Sequence, residues 1–143
     1  MKNNLLIILA IIFIIICLAC AFIIDKQSQK TQLQKENAEY EKYINKEIKG
    51  TELATLISKA VDHNETNYIA KDEKGHYINN NENSIKIDLK MITIEKTYPM
   101  EEIYNNQIVN FVQNFNTINF KCTNIEYHSK TGKIAKLVFE EQQ

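Results

Sequence analysis

Three patterns of apolar and polar positions divide the chain. An unbroken apolar run spans Leu5 to Ile24, a polar stretch follows to Lys49, and short apolar repeats fill the rest. The run holds no charge, no side-chain amide, no Gly and no Pro. At about 1.5 Å per residue, a helix of that length reaches across a hydrocarbon core of ~30 Å. A helix that is apolar all round needs lipid or a large core. The rest of a 143-residue chain is too short to supply one. The pattern therefore predicts a transmembrane anchor over residues 1–24, in contact with the lipid bilayer through residues 5–24.

From Asp25 to Lys49 there is no Gly or Pro, and Gln, Lys, Glu and Ala favour helix. Leu33, Tyr40, Ile44 and Ile48 recur at near-helical spacing, with Tyr43 beside them. The expectation is a helical stalk over 25–49 that turns an apolar face onto a domain over 50–143. Gly50 is the predicted break, Thr51 the predicted cap, and Glu52 suits the first turn of a second helix. In "TELATLISKAVDHN", Leu53, Leu56, Ile57, Ala60 and Val61 form one helix face, ending near His63-Asn64.

Strands are expected next. "NYIA" and "HYIN" flank a turn ending at Gly75, and "NNNENS" is a polar turn. "SIKIDLKM" alternates cleanly, and the slip in parity to Ile92 and Ile94 predicts a bulge or bend. Pro99 keeps Tyr98 extended and opens a helix at its first position, followed by Glu101 and Glu102. Tyr104, Ile108, Phe111, Val112 and Phe115 give that helix a face, with Asn105-Asn106 as a potential early break. "INFKCTNIEYH" and "KIAKLVFEE" read as a hairpin around Gly132. The order predicts an α+β fold: an N-terminal transmembrane helix continuing into a stalk, then a small antiparallel sheet packed by helices.

Composition narrows the function. The net charge is −1, so no electrostatic case for nucleic acid exists. Every basic residue is Lys, and Lys, Asn and Ile dominate, as AT-rich coding produces. Without Arg the chain lacks the usual bidentate clamp for phosphate or carboxylate. Three Gly residues make a phosphate-cradling loop an unattractive reading.

"CLACA" (Cys17 to Ala21) admits four readings: a redox C-x-x-C pair, a lipidation site at Cys20, a signal-peptidase site around Ala21, or plain membrane-buried residues. Thiols deep in an apolar run stay neutral, against redox use. Phe22, Ile23 and Ile24 continue the run, against cleavage. An uncleaved anchor is the expectation. Cys122 stands apart and supports no disulfide framework. His63, His76 and His128 have acidic neighbours (Asp62, Glu65, Asp72, Glu73, Glu126) but lack metal-ligand spacing. His63 and His76 read as ordinary surface positions. The "NNNEN" stretch lacks the Gly and closing Glu of a calcium loop. No catalytic, cofactor-binding or metal-ligating residue is assigned, no cofactor is expected, and the chain is not expected to be an enzyme.

The segments "KGTELATLISKAVDHN", "DEKGHYI", "ENSIKIDLKM", "TYPMEEI" and "FKCTNIEYHSKTGKIAKLVFEE" resemble a group of short membrane-anchored proteins of low-GC Gram-positive bacteria. The likeness covers roughly Lys49 to Glu141. That group carries no assigned activity, so the resemblance implies no site residue. In architecture alone, a membrane helix continuing onto a sheet is similar to type IV pilins and pseudopilins. Their apolar helix carries a Glu near its start, whereas Leu5 to Ile24 has no acid.

Counting Lys alone (Lys2 against Lys26, Lys30 and Lys35) would put the C-terminal domain inside. A short basic N-terminus followed at once by the apolar run resembles an uncleaved signal. The expectation is therefore a single-pass membrane protein with that domain outside the cytoplasm. Its role would be that of a non-enzymatic binding or structural module of the cell envelope, with an envelope protein as partner. A pilin-like subunit of a secretion or pilus system is the alternative.

Overall fold

The computed structural model describes residues 2–106 and 108–142, with side chains from Leu6 onward. The chain divides into two compact units, residues 1–36 and 37–143.

The first unit is helical. It is the major part of α1 (Lys2–Glu41). Its large apolar side chains from Leu6 to Ile24 all stand exposed, Phe13 at 67% and Ile24 at 68%. The mean hydropathy of its most apolar window is 3.6, and none of that window is buried. The helix is long and apolar enough to cross a membrane, a test that a signal sequence also passes. Beyond Asp25 the helix is held by its own polar side chains. Gln29 donates to Asp25 and Gln32 to Glu36, each across one turn at 2.9 Å.

The second unit is α+β. It comprises the end of α1, β1 (Glu47–Lys49), α2 (Gly50–Thr66), β2 (Lys86–Met91), β3 (Lys96–Pro99), α3 (Met100–Asn105), α4 (Ile108–Phe115), β4 (Asn119–Tyr127) and β5 (Ile134–Glu141). The five strands form one sheet in the order β1-β4-β5-β2-β3. The sheet is mixed rather than wholly antiparallel as expected, because β2 and β5 run parallel. A pairing between strands so far apart in sequence leaves no local pattern to read.

Alternation sorts the two faces. Ile48, Phe120, Cys122, Phe139, Leu89, Ile87 and Leu137 point to the core, where α2 supplies Leu53, Leu56, Ile57 and Ala60. On the opposite face one row runs Glu47, Lys121, Glu140, Lys90 across four strands. Lys90 meets Glu140 at 2.8 Å and Lys136 meets Asp88 at 2.7 Å. Opposite charges in register make this a solvated face that balances its own charge.

Several expectations are corrected. The α1 helix stops at Glu41 instead of running to Lys49. Asn45 turns left-handed (φ 56°), its N–H donates to Cys122 O at 3.1 Å, and Ile48 is buried in an edge strand. The open edge of β4 thus captures residues whose composition alone favours helix. Tyr40 and Tyr43 are buried, so 37–49 belongs to the folded unit and not to a stalk. Ile44, placed on the apolar face by its spacing, is exposed.

Gly50 is not a breaker: it opens α2, with Lys49 instead of Thr51 at the N-cap and no side-chain cap bond from Lys49. A Cβ on Gly50 would meet the backbone of Phe115, 2.7 Å from its carbonyl carbon and closer still to its oxygen. Glycine is there for close approach of α2 to the end of α4. "NYIA" and "HYIN" are not strands of the sheet; they meet through the Ile78 N to Ala70 O bond at 2.8 Å beside an isolated bridge from Lys71 to Tyr77. Pro99 caps α3 from outside instead of opening it. The parity slip at Ile92 is a turn, with β2 ending at Met91 and Glu95 left-handed (φ 50°). The break at Asn105-Asn106 does separate two helices.

Side-chain amides carry much of the polar bookkeeping. Asn64 is fully buried, donates to Ile85 O at 2.7 Å and accepts from Ile85 N at 2.9 Å. Asn37 treats the β4–β5 turn the same way, donating to Gly132 O and accepting from Ile134 N. Asn80 Oδ1 accepts the backbone N–H groups of Glu82, Asn83 and Ser84, each at 3.0 Å. The polar turn is therefore an ordered structure built on the asparagines themselves.

Candidate functional site

The concave feature with an apolar floor lies at the end of the sheet remote from Asn37. Asn37 contacts Gly132 and Ile134 at the start of β5, whereas Leu89 and Met91 lie near the end of the parallel strand β2. This cleft has a volume of about 200 Å³. Its lining falls into two sets.

The apolar set is Leu89 and Met91 from β2, Ile103 from α3, and Phe111 and Phe115 from α4. Sheet alternation sends Leu89 and Met91 to the helix side. Phe111 is buried and stacks near Phe115 (centroids 5.1 Å apart) and Phe120 (6.1 Å). The polar set is Tyr98, Glu102, Asn106, Asn110 and Asn114. Asn110 and Asn114 are four residues apart in α4 and share one side of it, while Asn106 follows the end of α3, outside both helices. Lys96 sits over the Tyr98 ring at 4.1 Å from its centroid. Glu102 is the one acidic side chain of the lining.

A second depression, bounded by Glu47, Thr93, Thr117, Ile118, Asn119, Glu141 and Gln142, has Ile118 as its single aliphatic wall. The buried Glu141 carboxylate there accepts the Thr93 N–H at 2.9 Å. With little apolar area to shed water, it offers less binding energy than the first.

The residues singled out from sequence lie elsewhere. His63 Nε2 and His128 Nε2 each donate to the backbone, at 2.8 Å from Asn83 O and 2.7 Å from Ser84 O. A carbonyl only accepts, so both rings carry a proton on Nε2. His128 is 2% exposed and its Nδ1 is buried without a partner. Neither His63 nor His76 is a fully exposed surface residue; both are half-buried. His76 faces Asp72 at 3.9 Å, and the backbone N–H of His76 bonds Asp72 and holds its carboxyl below the usual range. Among the described residues no group of three His, Cys, Asp or Glu side chains is placed to hold a metal ion.

Glu65, Lys71 and Tyr77 form a small network. Lys71 meets Glu65 at 2.7 Å, Tyr77 donates its hydroxyl to the same carboxylate, and Lys71 lies over the Tyr77 ring. The Lys71 hydrogen bond, then that of Tyr77, lowers the Glu65 carboxyl. Burial pushes the Tyr77 phenol up to about 12. Glu101, expected as a plain helix start, is buried and accepts the Tyr77 N–H at 2.8 Å. These contacts pin the long loop between α2 and β2. Cys122 is buried, with its thiol pushed up to about 11 by burial, and so remains protonated at neutral pH.

The cleft itself draws on β2, β3, α3 and α4, and sequence reasoning missed it. The four-residue spacing of Asn110 and Asn114 within one helical segment was the available signal. In a chain so rich in Asn it did not stand out. No protein-family model, curated protein or solved structure matches the chain.

Proposed function

We propose that the chain is a single-pass membrane protein of the cell envelope, anchored through residues 5–24. Its α+β unit is a non-enzymatic binding module on the extracytoplasmic side. The observation that carries this reading is the helix from Leu6 to Ile24, apolar on every side and covered by nothing in the fold. At roughly 1 kcal/mol or more for each large apolar side chain, moving the run into hydrocarbon releases on the order of 15 kcal/mol. That rivals the whole stability of a domain. Outside the anchor, the Cys122 thiol and the Tyr40 and Tyr77 phenols are pushed up by burial and held protonated. This supports binding over nucleophilic chemistry.

Alkaline extraction of membranes tests the anchor. The protein should stay in the pellet, and a variant carrying Ile12→Lys with Ile15→Lys should move to the supernatant. Release of the unaltered chain would refute the anchor.

A pilin-like subunit is the second reading. It is favoured by the burial of Tyr40 and Tyr43 where the end of α1 meets the folded unit. Filaments purified without this protein, from cells that make both, would dismiss it.

A further inference from the structure

The apolar run ends at a helical turn whose positive charges find no partner within the chain. Phe22 is the last aromatic residue of the run and is 63% exposed. One turn later the Lys26 ammonium lies over its ring, 5.5 Å from the centroid. Side chains of a helix lean towards its N-terminus, so the Lys26 stem folds back along the apolar surface. Its charge is thereby held beside the end of the lipid-spanning segment. Lys30, four residues further along α1, stands on the same side, about 40° round the axis.

Depth and charge together define what these groups meet. The headgroup layer adds about 5–8 Å to each side of the hydrocarbon core. Along the axis Lys26 lies about 3 Å and Lys30 about 9 Å beyond Ile24, and a stem that leans back brings the second ammonium into that layer. Lys35, about 16 Å beyond Ile24, lies outside it. The nearby acids do not neutralise this side. Asp25 accepts from Gln29 and Glu36 from Gln32, each at 2.9 Å. Both acids fall on one flank, about 80–100° from Lys26 and on the side away from Lys30. Among the described residues neither Lys26 nor Lys30 meets a carboxylate. Lysine binds phosphate as a point charge and needs no forked geometry. Two such charges favour a headgroup whose phosphate is not already balanced by its own cationic amine.

We infer that Phe22, Lys26 and Lys30 form a binding site for the headgroup of an anionic phospholipid. The phosphate pairs with the two ammonium groups, and the upper acyl chain lies against Phe22. The inference rests on the membrane-anchor reading and names the lipid class held at the C-terminal end of that anchor.

The chain has no Trp, so Phe22→Trp installs a single reporter at the site and keeps an aromatic ring under Lys26. The full chain with that substitution is reconstituted in phosphatidylcholine vesicles. Its fluorescence is then quenched with lipid brominated high in the acyl chains, as phosphatidylglycerol or as phosphatidylcholine. At low salt the anionic lipid should compete about five-fold better, the attraction of one net lysine charge once Asp25 is set against the pair. High salt should reduce that preference. Lys26→Gln with Lys30→Gln should abolish it, and Lys35→Gln should leave it intact. Gln sustains a helix about as well as Lys, and retention of the double variant in alkaline-washed membranes verifies its insertion. Equal quenching by both lipids, a preference that survives the double substitution, or an equal loss on Lys35→Gln would each overturn the inference. Quenching by neither lipid would instead refute the anchor itself.

Discussion

Replacing Gly50 by alanine reverses the usual sign of a glycine-to-alanine change. At an unstrained position that substitution stabilises by about 0.4–1 kcal/mol, because it restricts the unfolded chain. Gly50 opens α2, and its φ is not left-handed, so backbone conformation alone would welcome alanine. The obstacle is Phe115. The added Cβ falls 2.7 Å from the Phe115 carbonyl carbon and nearer to its oxygen. These are backbone atoms, and the Gly50 N–H is also bound to Ile118 O at 3.1 Å. Neither side can yield by rotating a side chain. Overpacking of this kind costs about 1–3 kcal/mol, and a rigid backbone places the cost at the upper end. The net expectation is a loss of about 2 kcal/mol, or roughly 8–12 °C in melting temperature for a unit of this size. Phe115 also lines the cleft, so the shift that relieves the clash should alter its shape too. The chain has no Trp, so urea unfolding is followed by tyrosine fluorescence, which reports on the buried Tyr40, Tyr43 and Tyr77. Gly75→Ala should destabilise by about 1 kcal/mol for a different reason, since φ is +81° there although the space is open. A Gly50→Ala protein as stable as the original, or more so, would refute the close-approach explanation.

Other substitutions and conditions follow from the same contacts. Asn64→Ala should cost about 2–4 kcal/mol in urea unfolding, since both backbone groups of Ile85 lose their partner inside the core. Tyr68 occupies the left-handed position just past α2, closed by the bonds Tyr68 N to Glu65 O and Ile69 N to Asn64 O. It is 94% exposed, so Tyr68→Gly should stabilise by about 1 kcal/mol, seen as a higher melting temperature. Acid should weaken the fold below the ordinary carboxylate values, 4.5 for Glu and 3.8 for Asp. Glu65, Asp72, Glu82 and Glu140 are all held below their ordinary values, by Lys71, the His76 N–H, Lys130 and Lys90 respectively. The unfolded chain then binds more protons, so stability present above that range is lost as pH falls through the lowered values. A urea midpoint that stayed constant or rose from pH 5 to pH 2 would contradict it.

The helices were legible wherever a buried face repeats with a helical period. Leu53, Leu56, Ile57, Ala60 and Val61 are the clearest case, and all five are buried. The alternation of Ile85, Ile87, Leu89 and Met91 likewise gave β2, and Gly132 gave the β4–β5 turn at φ 71°. What escaped depended on partners distant in sequence. β1 has one apolar residue, Ile48, and exists because β4 offers an open edge. Gly50 reads locally as a breaker, and only Phe115, far along the chain, explains it. Asn64 and Asn37 look like polar surface residues until the backbone groups they satisfy are brought beside them. The cleft was hidden for the same reason: its lining comes from two strands and two helices.

Protease treatment of intact cells, with mass measurement of the membrane-retained fragment, tests the anchored and outward-facing arrangement most directly. The account predicts loss of the folded unit from the cell surface and a retained fragment that begins at Met1 and runs past Ile24. A domain digested only after the cells are opened would contradict the orientation. A mature chain beginning at Cys20 or Phe22 would contradict the uncleaved anchor.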